Sequence, residues 1–298
     1  MLFFSNIDEL DFNSIRMWFI RIWLEKALTS YYSAMEEQVS IIVSIITALL
    51  TGGFIILFLE NQHVGANVIE RYHFIMKPFM HRLSNYFKFL SFAKSNFSIK
   101  RGIKKDEAEY AFKFNDLMER LGHYASPCIM SGQDYPTSKF TAIQLDNVCN
   151  DINNVWYYWN EKRNYMINYC TYDSENAELF GKLTREFLNE VFPHKYDEQR
   201  LSLSLISDVS GTFYTDVYEP IRHVPAEYEY WCKQEWIFQS VIFCTNGLCL
   251  LALLIVLLLR YFLPLFIMNV LVVLCILSLA YSLYKFAKIE KLARTSFR

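Results

Sequence analysis

Three long runs without a formal charge constrain this chain more than any other feature. They cover residues 39–59, 236–259 and 265–284, and they hold 21, 24 and 20 residues. At a rise of about 1.5 Å per residue, a helix of this length crosses the ~30 Å hydrocarbon core of a bilayer. A buried helix of a soluble protein would explain one such run but not three. The sequence therefore predicts a polytopic membrane protein with three transmembrane helices.

The composition favours helices over loops. The 298 residues include only nine glycines and seven prolines, against 25 Phe, 20 Tyr and 6 Trp. This is less than half of the usual share of loop-forming residues. Charged residues make up 20% of the chain and the net charge is -2, which excludes a disordered protein. We expect an all-α fold with long helices and aromatic residues at the interfaces between them.

Charge at the ends of the runs predicts the topology. The tail 285–298 carries five basic residues and one acidic residue, whereas the loop between the second and third runs carries only Arg260. Positive flanks favour the cytoplasmic side. The C-terminus and, by parity, residues 60–235 are therefore predicted to be cytoplasmic, with the N-terminus outside.

The runs divide the chain into six segments. An N-terminal segment 1–38 precedes the first run, and residues 15–24 within it are typical of a short amphipathic helix at the headgroup level. The first span is 39–59, the second 236–259 and the third 265–284, and the basic tail is 285–298. Residues 60–235 have the size of one ordinary domain inserted between the first two spans.

The inserted domain is patterned as helices. Apolar residues follow a heptad from Leu145 to Tyr169, interrupted by Lys162. Asp106 and Glu109 have the spacing of a capping box, and further helices are predicted over 174–192 and 197–217. Since no alternating strand pattern is visible, we predict an antiparallel helical bundle.

No catalytic or metal-binding motif is present. The seven cysteines contain no C-x-x-C pair, and Glu70 and His73 form a single E-x-x-H, where a di-iron bundle needs two. Phosphate-binding glycine loops, nucleophile elbows and zinc-protease motifs are also missing. We therefore expect a protein that is not an enzyme and has no cofactor, although an enzyme with scattered catalytic residues stays an alternative.

Polar residues inside the spans are the main functional clue. A buried amide or hydroxyl in hydrocarbon is costly unless it has a partner, so these residues should face other helices or water. In the first span, Ala48 and Gly52 continue a small-residue pattern that allows close helix packing. The predicted polar face consists of Ser40, Ser44, Thr47, Thr51, Gln239, Asn246 and Asn269.

A basic cluster lies between two predicted helices of the inserted domain. It could bind an anionic ligand or acidic lipid headgroups, or it is an ordinary charged loop. We expect no nucleic-acid partner. The cluster comprises Lys94, Lys100, Arg101, Lys104 and Lys105.

In layout, a cytoplasmic helical body fused to a few spans resembles membrane effectors of bacterial defence systems. This likeness is one of organisation and implies a place in the bacterial inner membrane. The leading hypothesis is a homo-oligomer whose body senses a cytoplasmic protein or ligand and whose spans alter the permeability of the lipid bilayer. The alternative is a membrane-anchored scaffold that recruits a cytoplasmic partner.

Overall fold

The computed structural model describes residues 12–131, 134, 140–172, 188–189, 191–196, 202–259 and 264–297. It is predominantly helical, as the composition predicted. In chain order, the elements are α1 (Phe12–Ser95), β1 (Phe97–Ile99), α2 (Glu109–His123), α3 (Ala125–Ser131), α4 (Ala142–Tyr169), β2 (Cys170–Tyr172), α5 (Leu203–Thr212), a π-helix (Phe213–Tyr218), a 3₁₀ turn (Glu219–Ile221), α6 (His223–Leu258) and α7 (Leu265–Thr295).

The structure confirms that the uncharged runs form long apolar helices. Within the described ranges, three helical stretches are long and apolar enough to cross a membrane: Ser40–Ser95, Leu203–Leu258 and Phe266–Thr295. Each contains most of one uncharged run, and many of their large apolar side chains are exposed. Such a surface is compatible with lipid and not with water. The chain is therefore an integral membrane protein by the character of its helices.

The described residues form two compact units. The first comprises the described parts of 1–65 and 234–294, and the second those of 66–233 and 295–298. In the first unit, the main core joins α1, α6 and α7. This core consists of Val43, Ile46, Leu50, Leu253, Val256, Met268, Val272 and Cys275.

In the second unit, α4 is the central helix and packs against both α2 and α5. It begins at a complete capping box, in which Thr141 Oγ1 accepts from the Gln144 backbone N–H. Lys162 has non-helical backbone angles, so the break in the heptad is a kink in the helix. The predicted heptad face is buried at Leu145, Val148, Ile152, Val155, Trp159 and Met166.

A short antiparallel pairing of β1 with β2 was not predicted from the sequence. Ser98 lies opposite Thr171, and their hydroxyl oxygens are 2.8 Å apart. Strands of three residues are too short to show an alternating pattern. The pairing places the end of α1 beside the end of α4.

Other predictions differ from the structure or lie outside it. The capping box at Asp106 does not form, because α2 begins at Glu109 and its N-cap is Ala108, without a side-chain cap. The segment 15–24 is part of α1. Of the helix predicted over 197–217, the structure has α5 and then the π-helix, while 197–201 lie outside the described residues. Most of the helix predicted over 174–192 also lies outside them.

Candidate functional site

The serine and threonine hydroxyls of the first span bond within their own helix. Ser44 Oγ donates to the Ser40 carbonyl at 2.8 Å, and Thr51 Oγ1 donates to the Thr47 carbonyl at 2.7 Å. Thr47 Oγ1 donates in the same way to the carbonyl of Val43. These bonds satisfy the hydroxyl hydrogens without a second helix. The face predicted as polar is thus compatible with lipid on its own.

Within the described residues, the close approach of the first span to α7 is at Gly53. A Cβ added to Gly53 would lie 3.3 Å from Leu279 Cδ1 in α7. Ala48 is exposed, and a Cβ added to Gly52 would meet no described atom within 4 Å. Packing of a further helix against Ala48 and Gly52 stays a prediction.

A buried polar pair joins α6 and α7. Asn246 Nδ2 donates to Ser282 Oγ at 3.1 Å, and Ser282 Oγ donates to the Ser278 carbonyl at 2.9 Å. Asn246 and Ser282 are both fully enclosed. The other two predicted amides of this face, Gln239 and Asn269, are exposed. Of the predicted polar residues, Asn246 is thus the one that the fold places in an intramembrane core.

Two enclosed polar oxygens lie at or next to this pair, an amide oxygen and a hydroxyl. Among the residues that the structure describes, Asn246 Oδ1 and Ser278 Oγ have no hydrogen-bond partner. An unpaired polar atom in an apolar medium costs on the order of several kcal/mol. A partner for either atom would have to come from outside the described residues, as water or as a polar group.

Two residues of the basic cluster make hydrogen bonds within the second unit. Lys94 Nζ donates to Asn115 Oδ1 at 2.8 Å, which ties α1 to α2. Lys100 Nζ donates to the carbonyls of Ile167 and Asn168 at the end of α4, where a cation is favoured by the helix dipole. The remaining cluster residues, Arg101, Lys104 and Lys105, are exposed.

A polar cavity of about 510 Å³ lies in the second unit, beside α4 and α5. Lys195 Nζ is 3.4 Å from Thr212 Oγ1 and 3.5 Å from Asp216 Oδ2. The Tyr196 hydroxyl lies 2.9 Å from the same Thr212 oxygen, and burial raises the pKa of this phenol, so it stays neutral and can donate. The lining residues are Asn153, Trp156, Lys195, Tyr196, Asp208, Gly211, Thr212 and Thr215.

The wall of this cavity depends on a glycine. A Cβ on Gly211 would lie 2.7 Å from Trp156 Cδ1, so the indole ring occupies the space that any other side chain would need. Trp156 nevertheless keeps 40% of its surface exposed. The π-helix starts two residues later at Phe213, and such irregular turns are frequent at functional sites. An exposed indole face, an ammonium group and nearby carboxylates suit a small polar ligand with a planar group.

Asp146 fixes the π-helix to α4. Its Oδ1 accepts from the Tyr218 hydroxyl at 2.7 Å and from Arg222 Nε at 3.0 Å, and its Oδ2 accepts from Asn150 Nδ2 at 3.2 Å. The hydrogen bond from Tyr218, followed by the Arg222 guanidinium, lowers the pKa of the Asp146 carboxyl. The ionised form is therefore the one that holds this junction.

The stability of the second unit should fall in acid through Asp146. A carboxyl with a lowered pKa in the folded state stabilises the fold above its unfolded pKa of about 3.9, and this contribution is lost as the pH falls through the folded value. Asp146→Asn should lack this part of the pH dependence. Thermal unfolding of the full chain, followed by tryptophan fluorescence in a nonionic detergent between pH 3 and 6, measures it.

Asp116→Asn is the matched control, because Asp116 is an exposed carboxylate on α2. It should keep the wild-type pH profile. The assignment would be contradicted if, below pH 4, the unfolding temperature of the wild type dropped no more than that of Asp146→Asn.

Sequence reasoning did not single out several residues that shape these sites. Asn61 and Glu235 flank the spans, outside the uncharged runs that attracted attention, and Asn61 Nδ2 lies 3.5 Å from Glu235 Oε1. Tyr218 and Asp146 are 72 positions apart in the chain, so no local spacing connects them. For Asn61 and Glu235, the available signal was a polar residue next to a span.

Among the described residues, no group of three or more His, Cys, Asp or Glu side chains is placed to hold a metal ion. Comparisons with protein families, with curated proteins and with solved structures give no match to this chain.

Proposed function

We propose that this chain is a non-enzymatic, oligomeric membrane protein whose helical body senses a signal or partner and whose spans then alter membrane permeability. The body and the C-terminus lie in the cytoplasm in this proposal, on the basis of the five basic residues in the tail. The membrane is the bacterial inner membrane, by the likeness of layout to defence effectors. Several copies assemble in the bilayer.

The unused acceptors inside the spans are the observation that carries this proposal. Within the described part of the chain, Asn246 Oδ1 and Ser278 Oγ are buried without a partner, and the main core of the same unit is apolar. A polar atom at this depth is expensive in hydrocarbon, and residues of this kind commonly face a water-filled path or a neighbouring helix. Water in an assembly of several copies would satisfy both atoms and would also provide a route for ions.

The polar cavity of the second unit supports the sensing part of the proposal. Its volume of about 510 Å³ lies within the range of ~300–1,000 Å³ that is usual for small-molecule sites. Lys195 and Asp208 give it both signs of charge, and the exposed Trp156 ring gives it a surface for stacking. A ligand bound there contacts α4 and α5 together and so can bias their packing.

Induced expression in bacterial cells tests the proposal without knowledge of the signal, since a high membrane concentration favours assembly by mass action. We expect uptake of an impermeant DNA dye and loss of potassium with the wild-type chain. Asn246→Leu should abolish both, because it removes the amide that needs water or a second copy. The amounts of each variant in the membrane are matched by immunoblot.

Asn269→Leu is the control, because it makes the same chemical change at an exposed position of α7. It should behave as the wild type does. Sealed cells at every expression level, together with a chain that remains monomeric under chemical crosslinking, would refute the proposal.

A membrane-anchored scaffold is the second candidate function, and the same cavity favours it. A module that only recruits a partner needs the Trp156 cavity but has no use for a water path at Asn246. Equal permeability of the wild type and Asn246→Leu, combined with a partner whose capture is lost in Trp156→Ala, would favour the scaffold.

A further inference from the structure

A largely apolar groove lies in the first unit, between α1 and α6. It has a volume of about 390 Å³, which is sufficient for a small ligand. Most of its wall is aromatic or aliphatic, and Trp236 stands at its rim with 69% of its surface exposed. The apolar wall includes Phe54, Leu57, Phe58, Ile242 and Phe243.

One polar side chain in this wall is almost completely buried and incompletely bonded. Asn61 is only 2% exposed, and its Oδ1 has no hydrogen-bond partner among the described residues. Its Nδ2 lies 3.5 Å from Glu235 Oε1, and Gln239 Nε2 donates to the same oxygen at 3.2 Å. Because only the NH₂ group can donate to a carboxylate, Glu235 fixes the orientation of the Asn61 amide. The unused atom is therefore an acceptor.

The chemistry of the groove defines its ligand. The unused Asn61 acceptor needs a donor, and the neighbouring Glu235 carboxylate favours a donor that carries positive charge. The exposed ring face of Trp236 attracts a cation as well. The apolar wall needs a hydrocarbon chain or ring system. An amphiphile with a primary ammonium head meets all of these requirements.

We propose that the groove lined by Asn61 binds an amphiphilic primary amine, with its ammonium at Asn61 Oδ1 and its apolar part along Phe54, Phe58 and Phe243. Two sources have this chemistry: a membrane lipid with an ethanolamine headgroup, and a free long-chain amine. The proposal is independent of the function of the spans, because it concerns binding alone.

Native mass spectrometry of the full-length chain in a nonionic detergent tests the proposal. The probes are phosphatidylethanolamine, phosphatidylcholine with the same acyl chains, and dodecylamine. Choline keeps the positive charge but has no N–H to donate. We therefore expect phosphatidylethanolamine to bind about tenfold more tightly than phosphatidylcholine, which is the factor expected for a charged hydrogen bond.

Asn61→Leu should remove this preference and weaken binding of phosphatidylethanolamine about tenfold. The matched control is Gln62→Leu, the same kind of change at the next, exposed position of α1. Ser240→Phe should fill the groove and abolish binding while every polar partner of Asn61 remains. This variant keeps the test decisive if Asn61→Leu fails to fold.

Each result separates the sources or ends the proposal. Binding of phosphatidylethanolamine alone identifies a membrane lipid, binding of dodecylamine alone identifies a free amine, and binding of both means that the groove accepts either source, provided that Asn61→Leu weakens the binding. Equal, measurable binding of the ethanolamine and choline lipids, binding that a folded Asn61→Leu does not weaken, binding that Ser240→Phe does not reduce, or no binding of any probe would overturn the proposal.

Discussion

Phe213→Ala is expected to cost the second unit about 3–5 kcal/mol, the largest loss of stability among the changes considered. Phe213 is fully buried where α5 passes into the π-helix. Its ring centroid lies 4.9 Å from that of Tyr86 and 6.2 Å from that of Phe79, so it joins the π-helix to α1. Truncation removes these contacts and leaves a cavity, because the side chains around it relax only in part.

Thermal unfolding of the full chain, read at Cys149, measures this loss. Cys149 is buried in α4, and burial raises the pKa of its thiol, so it reacts with a maleimide only after the unit opens. Peptide mapping separates its labelling from that of the other cysteines. For a unit of this size, a loss of 3–5 kcal/mol lowers the midpoint by on the order of 10 °C.

Phe74→Ala is the matched control, because Phe74 on α1 is 82% exposed. Its effect should stay within about 0.5 kcal/mol. Similar shifts for both alanine variants would mean that the ring contacts of Phe213 do not hold the π-helix in place.

The spans and the α4 heptad could be predicted because both depend on local pattern. An uncharged run of 20 residues has few alternatives to a membrane helix, and a heptad predicts its own buried face. Lys162 was visible as the break in that heptad and is the kink in the helix. In these elements, sequence spacing and three-dimensional packing carry the same information.

The polar sites could be predicted only in part, because sequence spacing does not determine which partner a side chain chooses. The hydroxyl of Thr47 donates to a carbonyl of its own helix. The spacing of hydroxyl residues along a helix is the same whether they bond within that helix or to another one. Asn246 pairs with Ser282, 36 positions away in the chain, and no local spacing connects the two. Which residue of α7 lies opposite Asn246 depends on how the two helices pack.

The failed capping box illustrates the same limit at a helix end. Asp106 and Glu109 have the correct spacing, but the Glu107 and Ala108 backbone N–H groups both donate to the Lys104 carbonyl. A turn therefore occupies the position where the cap was predicted, and α2 starts after it. Tertiary packing of Ala108, which is fully buried, favours this later start.

Gly211→Val is expected to have the second largest effect, a loss of about 1–3 kcal/mol. Its Cβ alone would lie 2.7 Å from Trp156 Cδ1 and 3.0 Å from Cγ, and valine adds two methyl groups. The near part of the indole cannot move away as easily as the tip of a flexible chain, so α4 and α5 must separate. The midpoint of Cys149 labelling should fall, and the cavity beside Trp156 should lose its ligand-binding volume.

Gly122→Val is a close control, since Gly122 also lies in a helix but an added Cβ there meets nothing within 4 Å. Valine has a slightly better helix propensity than glycine, so this variant should be neutral or slightly stabilising. Trp156→Ala should restore much of the loss in Gly211→Val, with a coupling of about 0.5–3 kcal/mol. If the two valine variants are equally unstable, or if Trp156→Ala rescues nothing, the glycine does not act through the indole. Rescue by Trp156→Ala would instead show that one contact both stabilises the α4–α5 junction and shapes the cavity, so that a ligand on Trp156 can act on that junction.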